Sequence, residues 1–250
     1  MNHPEGGGGK APENPGEPGE NGLTKGGKNN TVEERKKRTR KGEIRMDGGK
    51  PGGTEITWEL FERQVEACGR CGLCRGIHHK VPGQGDRQAP LMLVGEGPGQ
   101  VEDEQGLAFV GPAGQLLTRM LAAIGLPRER VYICNVVKCR PPHNRAPLPE
   151  EEEACLPHLR MQTWLVRPKV IVLLGATAGK ALLDPEMRIT RDRGKWTERK
   201  GFWIMPTYHP SALLRDESKK PQAWEDMKSL REKLKSLGLY GDIYGKEQKG

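Results

Sequence analysis

Short apolar segments alternate with longer helical patterns along most of this chain. Each apolar segment is the length of a buried strand, and strands that alternate with helices are typical of a parallel sheet covered on both faces. We therefore predict an α/β fold, a three-layer α/β/α sandwich around a central, mostly parallel four-stranded sheet. The four predicted strands are Leu91–Val94, Val131–Val137, Val170–Leu174 and Gly201–Pro206.

The helical patterns predict how the strands are connected. A helix from Trp58 to about Ala67 would place Trp58, Phe61 and Val65 on one face. The pattern Ala113–Ile124 ends before Gly125, a residue suited to a helix C-terminus. The other predicted helices are Glu150–Val166, Ala176–Leu183 and Pro221–Leu237. In such sheets ligands bind at the carboxyl ends of the strands, where GEGPG, Asn135 and YHPS lie.

The two ends of the chain differ from this central region. Residues 1–53 are rich in Gly and Pro and nearly free of large apolar side chains, so we expect a disordered tail. Its basic cluster, residues 35–41, is either an arm that contacts phosphates or a solvated segment without a partner. We expect the folded domain over residues 54–240 and a flexible tail over 241–250.

The net charge of +8 favours an anionic partner, of which nucleic acid is the commonest. No apolar run approaches the roughly 18 residues of a membrane helix, and the N-terminus lacks the apolar core of a secretory signal. We therefore expect a soluble cytoplasmic protein, associated with the nucleoid and monomeric, that has no contact with membranes.

Four segments taken together carry a resemblance to a known family. They are Gly95–Leu117, Asn135–Cys155, Val170–Leu183 and His209–Arg215, and in this order they resemble family 4 uracil-DNA glycosylases over roughly residues 60–237. The resemblance implies the α/β/α fold of uracil-DNA glycosylases. It also implies an enzyme of base excision repair that acts on uracil-containing DNA, single- or double-stranded. Such an enzyme flips uracil out of the stack, because the scissile bond is unreachable inside a duplex, and hydrolyses the N-glycosidic bond.

The resemblance assigns roles to residues of the pocket. Phe109 is similar to the aromatic residue that stacks on the flipped base, and Asn135 to the amide that pairs with uracil O4 and N3–H. His209 is similar to the histidine near uracil O2, where negative charge develops as the bond breaks. Gly95 and Gly97 are expected to border the base.

The water side of the reaction leaves several candidates open. A carboxylate is expected to stabilise the cationic sugar and orient the attacking water. Glu96, Glu102 and Asp103 are candidates; we favour Glu102, with Glu96 second, and expect Asn144 to help hold the water. Gly97 stands where archetypal uracil-DNA glycosylases have an aspartate.

The segment HPSALLR is expected to face the DNA. Leu213 and Leu214 are candidates for an apolar wedge that fills the gap left by the flipped base, although one of them is expected to be core. Arg215 is expected to reach a phosphate.

The chain has six cysteines, and in a reducing compartment such a set favours metal binding over disulfides. The resemblance implies that Cys68, Cys71, Cys139 and Cys155 hold a [4Fe–4S] cluster. Zinc in the same four-thiolate site remains the chemical alternative. Cys74 also stands in a C-x-x-C spacing and is interpreted as a spare. Cys134 is expected to be a small buried residue, and His78 and His79 to be solvated.

Two other functions are open to a chain with these motifs. Some relatives bind uracil DNA covalently through a histidine on an inserted basic loop, but the loop HNRAP after KCRPP is short and unlike that insertion. The other is a catalytically silent, metal-bearing DNA-binding module. Strand cleavage is not expected, because it requires an amine nucleophile.

Overall fold

A computed structural model describes residues 55–244 of the chain. The tail expected over residues 1–53, with its basic cluster, lies outside the described residues, as do residues 245–250. No helix within residues 55–244 is long and apolar enough to cross a membrane.

A single six-stranded sheet forms the centre of the described region, with the strand order β1-β3-β2-β4-β6-β5. The four inner strands are parallel, which confirms the predicted sheet. The two edge strands are antiparallel, and their two and three residues are too few to show a sequence pattern. The strands are β1 Gln84–Gly85, β2 Leu91–Gly95, β3 Tyr132–Asn135, β4 Val170–Leu174, β5 Thr197–Arg199 and β6 Phe202–Thr207.

Helices cover the sheet, and all five that we predicted are present within one or two residues of the expected ends. The α-helices of the described region are α1 Trp58–Glu66, α2 Gln100–Gln105, α3 Pro112–Ala123, α4 Pro149–Val166, α5 Ala176–Leu182, α6 Ile189–Asp192, α7 Pro210–Arg215, α8 Lys220–Ser236 and α9 Tyr240–Tyr244. Helix α9 lies where we expected a flexible tail to begin. Ile243 is buried in the main core, so residues 240–244 belong to the domain.

The side chains of each strand alternate between two hydrophobic cores, as the two-residue period of a strand requires. Leu91 and Leu93 pack into the core that includes residues of α3 and α8. Met92 and Val94 pack into the opposite core with residues of α4. Both faces of the inner strands are therefore buried, which explains why these strands are continuous apolar runs.

The register of the parallel strands decides which residues meet at the carboxyl end of the sheet. Gly95, the last residue of β2, pairs with Asn135, the last residue of β3. Leu174 at the end of β4 pairs with Thr207 at the end of β6, two residues before His209. The three segments predicted to carry chemistry are therefore brought to one edge.

A buried carboxylate anchors the end of β6. Asp226 of α8 accepts a hydrogen bond from Thr207 Oγ1 at 2.6 Å and from Arg193 Nε at 2.8 Å. Arg193 also donates to the second oxygen of Asp226. This bidentate pair fixes the strand end immediately before His209.

Candidate active site at the carboxyl end of the sheet

A cleft of about 470 Å³ lies at the carboxyl end of the sheet. It is bordered by the GEGPG loop, Phe109, Asn135, the loop 141–145 and the segment that carries His209. The predicted site residues that line it are Glu96, Gly97, Glu102, Phe109, Asn135, Asn144, His209 and Arg215.

Gly95 allows the two base-contacting candidates to approach each other. A Cβ at this position would lie 2.4 Å from Phe109 Cζ and 2.5 Å from Asn135 Oδ1. Any side chain here would therefore displace the ring or the amide. The predicted role of Gly95 at the pocket is consistent with this crowding.

Asn135 and Phe109 are both buried, and Phe109 packs at the edge of the hydrophobic core where it borders the cleft. Asn135 is 1% exposed, and its Oδ1 has no hydrogen-bond partner within the described structure. Phe109 has a left-handed backbone (φ 54°), which a non-glycine residue adopts at a cost. Its ring lies 5.6 Å from the His209 ring, at an angle of 38°. A buried unpaired oxygen beside an aromatic face is the arrangement expected where a polar ring is to bind.

His209 presents an N–H group to the cleft. The Ser211 backbone N–H donates to His209 Nδ1 at 3.1 Å, so Nδ1 is an acceptor and the proton of the neutral ring sits on Nε2. Within residues 55–244, Nε2 is buried and has no hydrogen-bond partner. Burial lowers the pKa of His209 to about 4, and the nearby positive charge of Arg215 adds to this effect. The ring is therefore a neutral donor at physiological pH.

Glu102, the carboxylate that we favour for orienting the water, lines the cleft and is hydrogen-bonded to the backbone. Its Oε1 accepts from Val110 N at 3.0 Å and Gly111 N at 2.8 Å, and its Oε2 accepts from Gly99 N at 3.2 Å. These three hydrogen bonds connect the GEGPG loop to the segment after Phe109 and hold the carboxylate in place between them. The choice between Glu102 and Glu96 for the water stays a prediction.

The carboxylate of Glu96 is held by fewer hydrogen bonds of the described structure than that of Glu102. It is half-buried in the cleft wall, and its Oε2 accepts a hydrogen bond from Thr177 Oγ1 of α5. Glu152 of α4 lies within electrostatic reach of Glu96: burial, together with the negative charge of Glu96, raises the pKa of Glu152 to about 7. Sequence reasoning missed Thr177 and Glu152, since a threonine after a strand and a glutamate in an acidic first turn are both common.

Asp103, the third carboxylate candidate, faces away from the cleft. It is 2% exposed and accepts hydrogen bonds from the backbone N–H of His78 at 3.0 Å and of His79 at 3.4 Å. The His78 ring also contacts it, with Nδ1 3.0 Å from Oδ2. Both histidines are exposed, as expected, but they connect the cysteine-bearing segment to α2.

Asn144 lies in a strained loop at the mouth of the cleft. His143 and Asn144 both have left-handed backbones, with φ of 54° and 55°. Asn144 Oδ1 accepts a hydrogen bond from Arg140 Nε at 2.7 Å. The NH₂ group of Asn144 is therefore the part of its amide that could bind a water. The loop is held to α4 by a bidentate pair of Arg145 with Glu151.

The predicted DNA-contacting residues differ in their exposure to solvent. Leu213 is 2% exposed and packs with Tyr208 and Ala223, so the expectation of a DNA contact is wrong for this residue. Leu214 is 43% exposed, and Arg215 is exposed at the rim of the cleft. Only one leucine can therefore act as a wedge.

A second cavity is lined by cysteines, and all four predicted ligands contribute to it. Cys139 and Cys155 are buried, and burial raises the pKa of the Cys139 thiol to about 12, with Cys155 adding to it. The Lys138 backbone N–H lies 3.3 Å from Cys155 Sγ. The cavity-lining residues with polar or ionisable side chains are Cys68, Arg70, Cys71, Cys74, Lys80, Lys138, Cys139, Cys155 and His158.

The two remaining cysteines behave differently. Cys74 lines the same cavity, but its Sγ donates to Cys71 O at 3.2 Å. Cys134 is fully buried within β3, as expected, and does not line the cavity. Among residues 55–244, no three ligand side chains are placed so as to hold a single metal ion.

Comparison with known proteins adds an independent observation. The family model for the uracil DNA glycosylase superfamily matches residues 82–228. A type-4 uracil-DNA glycosylase of Thermotoga maritima is 43% identical over 190 residues, which cover 74% of this chain and 98% of that protein. The type-4 enzyme of Archaeoglobus fulgidus is 43% identical over 194 residues, covering 74% and 92%. That of Sulfurisphaera tokodaii is 42% identical over 183 residues, covering 70% and 83%.

The His209 environment makes a testable prediction about its titration. In the folded protein the ring should remain the neutral Nε2–H tautomer until the pH falls to about 4. An unfolded chain binds this proton near pH 6.5, so the contribution of His209 to the free energy of unfolding is lost as pH falls from 6.5 toward 4. Nitrogen-15 NMR of the imidazole measures both the tautomer and the pKa.

The Arg215→Met variant is the control for this titration. It removes the nearby positive charge and should raise the pKa of His209, while burial keeps it below 6.5. A wild-type His209 that titrates near 6.5, or that carries its neutral proton on Nδ1, would contradict the assignment.

Proposed function

The chain belongs to the uracil-DNA glycosylase superfamily, among its type-4 enzymes, and we propose that it removes uracil from DNA by hydrolysing the N-glycosidic bond. One observation carries the proposal: Asn135 Oδ1 and His209 Nε2 are buried, have no hydrogen-bond partner in the described part of the chain, and belong to residues that line the same cleft as Phe109. Unpaired buried polar atoms are costly, and a bound base with matching groups removes that cost.

Base recognition follows from the chemistry of the Asn135 amide. Its Oδ1 accepts the N3–H of uracil, and its NH₂ donates to O4. Cytosine presents an unprotonated N3 and an amine at these positions, so both contacts are mismatched. The Phe109 ring supplies the face on which the flipped base stacks. Gly95, without a side chain, leaves room for both contacts.

We assign catalysis to His209, because it donates to the uracil oxygen on which negative charge develops. As the bond to the sugar breaks, electrons move onto the uracil ring and its O2 becomes negative. The neutral His209 donates from Nε2 to that oxygen inside a buried site, where a fixed donor is worth far more than in water. The stabilisation is greatest after charge has moved, so it lowers the barrier rather than strengthening ground-state binding.

The sugar side needs negative charge and a positioned water. Glu96 is the residue that we propose orients this water, since it lines the cleft and Thr177 holds one of its oxygens. Glu102, held by its three backbone hydrogen bonds, stabilises the cationic sugar at a distance. The NH₂ of Asn144 completes the water site.

The DNA-contacting surface is proposed to lie around α7. Leu214, exposed beside the cleft, enters the gap left by the flipped base, and Arg215 pairs with a phosphate. The net charge of +8 favours binding to the backbone, whether the DNA is single- or double-stranded. The basic cluster in residues 35–41 adds phosphate contacts, and the enzyme acts as a monomer.

Cys68, Cys71, Cys139 and Cys155 are proposed to hold a [4Fe–4S] cluster. Their common cavity, lined also by cationic side chains, fits a group whose sulfurs carry negative charge. When bound, the cluster supplies a covalent crosslink rather than a step of the reaction. Cys139 and Cys155 flank the loop 141–145 at the cleft, and Cys68 and Cys71 follow α1, so the crosslink joins α1 to that loop. Cys74 remains a spare thiol.

A single-turnover assay on a uracil-containing oligonucleotide tests the proposed activity. We expect free uracil and an intact strand with an abasic site, and no base release from matched oligonucleotides that carry thymine or cytosine. A covalent protein–DNA adduct, or binding without base release, would contradict the proposal, and each outcome is distinguished by chromatography of the base and a denaturing gel.

The two carboxylates of the cleft should differ when each is changed to the amide. Glu96→Gln should keep the wild-type melting temperature and lower the single-turnover rate by roughly 10²-fold or more, because a water-orienting group is lost. Glu102→Gln turns an amide NH₂ toward a backbone N–H, which should cost about 1–3 kcal/mol of stability. The measurements are thermal unfolding and single-turnover rates. Wild-type stability in Glu102→Gln, together with the larger rate loss, would restore Glu102 as the water-orienting residue.

A further inference from the structure

His158 is a buried polar residue that no part of the uracil chemistry uses. It lies in α4, is 2% exposed, and its Nε2 has no hydrogen-bond partner within the described structure. Buried nitrogens are normally hydrogen-bonded, so an unpaired one points to a partner that binds there. Asn135 Oδ1 and His209 Nε2 are unpaired in the same way, and both face the base cleft.

The cavity that His158 lines is the one bordered by the cysteines. His158 follows Cys155 by three residues in α4, so both side chains lie on the same face of the helix. The side chains of Arg70, Lys80 and Lys138 also border this cavity. Besides apolar residues, the lining therefore consists of thiols and cationic residues, and within residues 55–244 no acceptor is hydrogen-bonded to His158 Nε2.

We propose that His158 donates a hydrogen bond from Nε2 to a sulfur of the iron–sulfur group held by the four cysteines. The inference rests on the proposed cluster. Four cysteine thiolates already provide one ligand for each iron of a [4Fe–4S] cluster, so the imidazole is not needed as a ligand. Sulfur atoms that carry negative charge accept N–H groups, and this contact pairs the buried nitrogen.

The hydrogen bond has a consequence for the cluster that can be measured. Reduction adds negative charge to the sulfurs, and an N–H donor stabilises the reduced form more than the oxidised form. His158 should therefore raise the reduction potential. His158 would act on the cluster from α4.

The test compares reduction potentials of the intact, cluster-loaded protein and its variants. The His158→Leu variant removes the donor, and its potential should fall below that of the wild type, followed as bleaching near 400 nm in a dye-mediated titration. The His158→Gln variant keeps an N–H donor of similar reach, and its potential should lie nearer to the wild-type value. Iron content is measured on each variant.

The His209→Leu variant is the matched control, since it makes the same change at another buried histidine with an unpaired Nε2. It should leave the potential unchanged while slowing uracil release. An unchanged potential in the His158→Leu variant with full iron content would overturn the proposal. Loss of iron in both His158 variants would overturn it too, because His158 would then be a ligand. If only the His158→Leu variant loses iron, a potential of the His158→Gln variant near the wild-type value supports the role of His158 as a hydrogen-bond donor.

Two further results separate this inference from the proposals on which it rests. Wild-type protein that contains zinc in place of iron would overturn both the cluster and the role of His158, and leave uracil excision standing. Wild-type protein with iron but without uracil release would overturn the proposed activity and leave the comparison of potentials valid.

Discussion

The parallel register of β2 with β3 is the constraint on which the site depends. It places Gly95 beside Asn135, and the missing side chain of Gly95 lets Phe109 approach the amide from the other side. The pairing of β4 with β6 carries His209 to the same edge, where Asp226 and Arg193 hold the strand end. A shift of either strand by one residue would point these side chains away from the cleft.

Two sites in the molecule are built by the same means, a buried polar atom left without a partner. In the cleft these atoms are Asn135 Oδ1 and His209 Nε2, and in the cysteine cavity it is His158 Nε2. Each costs stability in the absence of a bound group, and each is offset when the matching group binds. Lys138 lies between the two sites: its side chain donates to Asn135 O at 2.8 Å, and its backbone N–H lies beside Cys155 Sγ.

Much of the fold could be predicted from the sequence because the inner strands are buried on both faces and read as continuous apolar runs. The edge strands β1 and β5 could not, since a few residues at a sheet edge carry no pattern. The candidate base-contacting residues were predicted through their motifs, and the structure places them at one cleft. The choice between Glu96 and Glu102 could not be predicted in this way, because it depends on where the amides of Val110 and Gly111 point, which follows from the left-handed backbone of Phe109. In the sequence, the only indication that His158 lies near the cysteines is its three-residue spacing from Cys155. Its burial, which only the structure shows, makes that spacing informative.

The central claim is that recognition and catalysis are divided between Asn135 and His209. The most direct measurement is the single-turnover cleavage rate and the dissociation constant for uracil DNA of the His209→Ala and Asn135→Asp variants. His209→Ala should slow cleavage by roughly 10²–10³-fold with a much smaller change in affinity, because ground-state uracil carries little of the charge that His209 stabilises. Asn135→Asp should weaken binding of uracil DNA, because a carboxylate accepts where the amide donated. Loss of affinity as large as the loss of rate in His209→Ala would contradict the account, since His209 would then hold the DNA rather than the transition state.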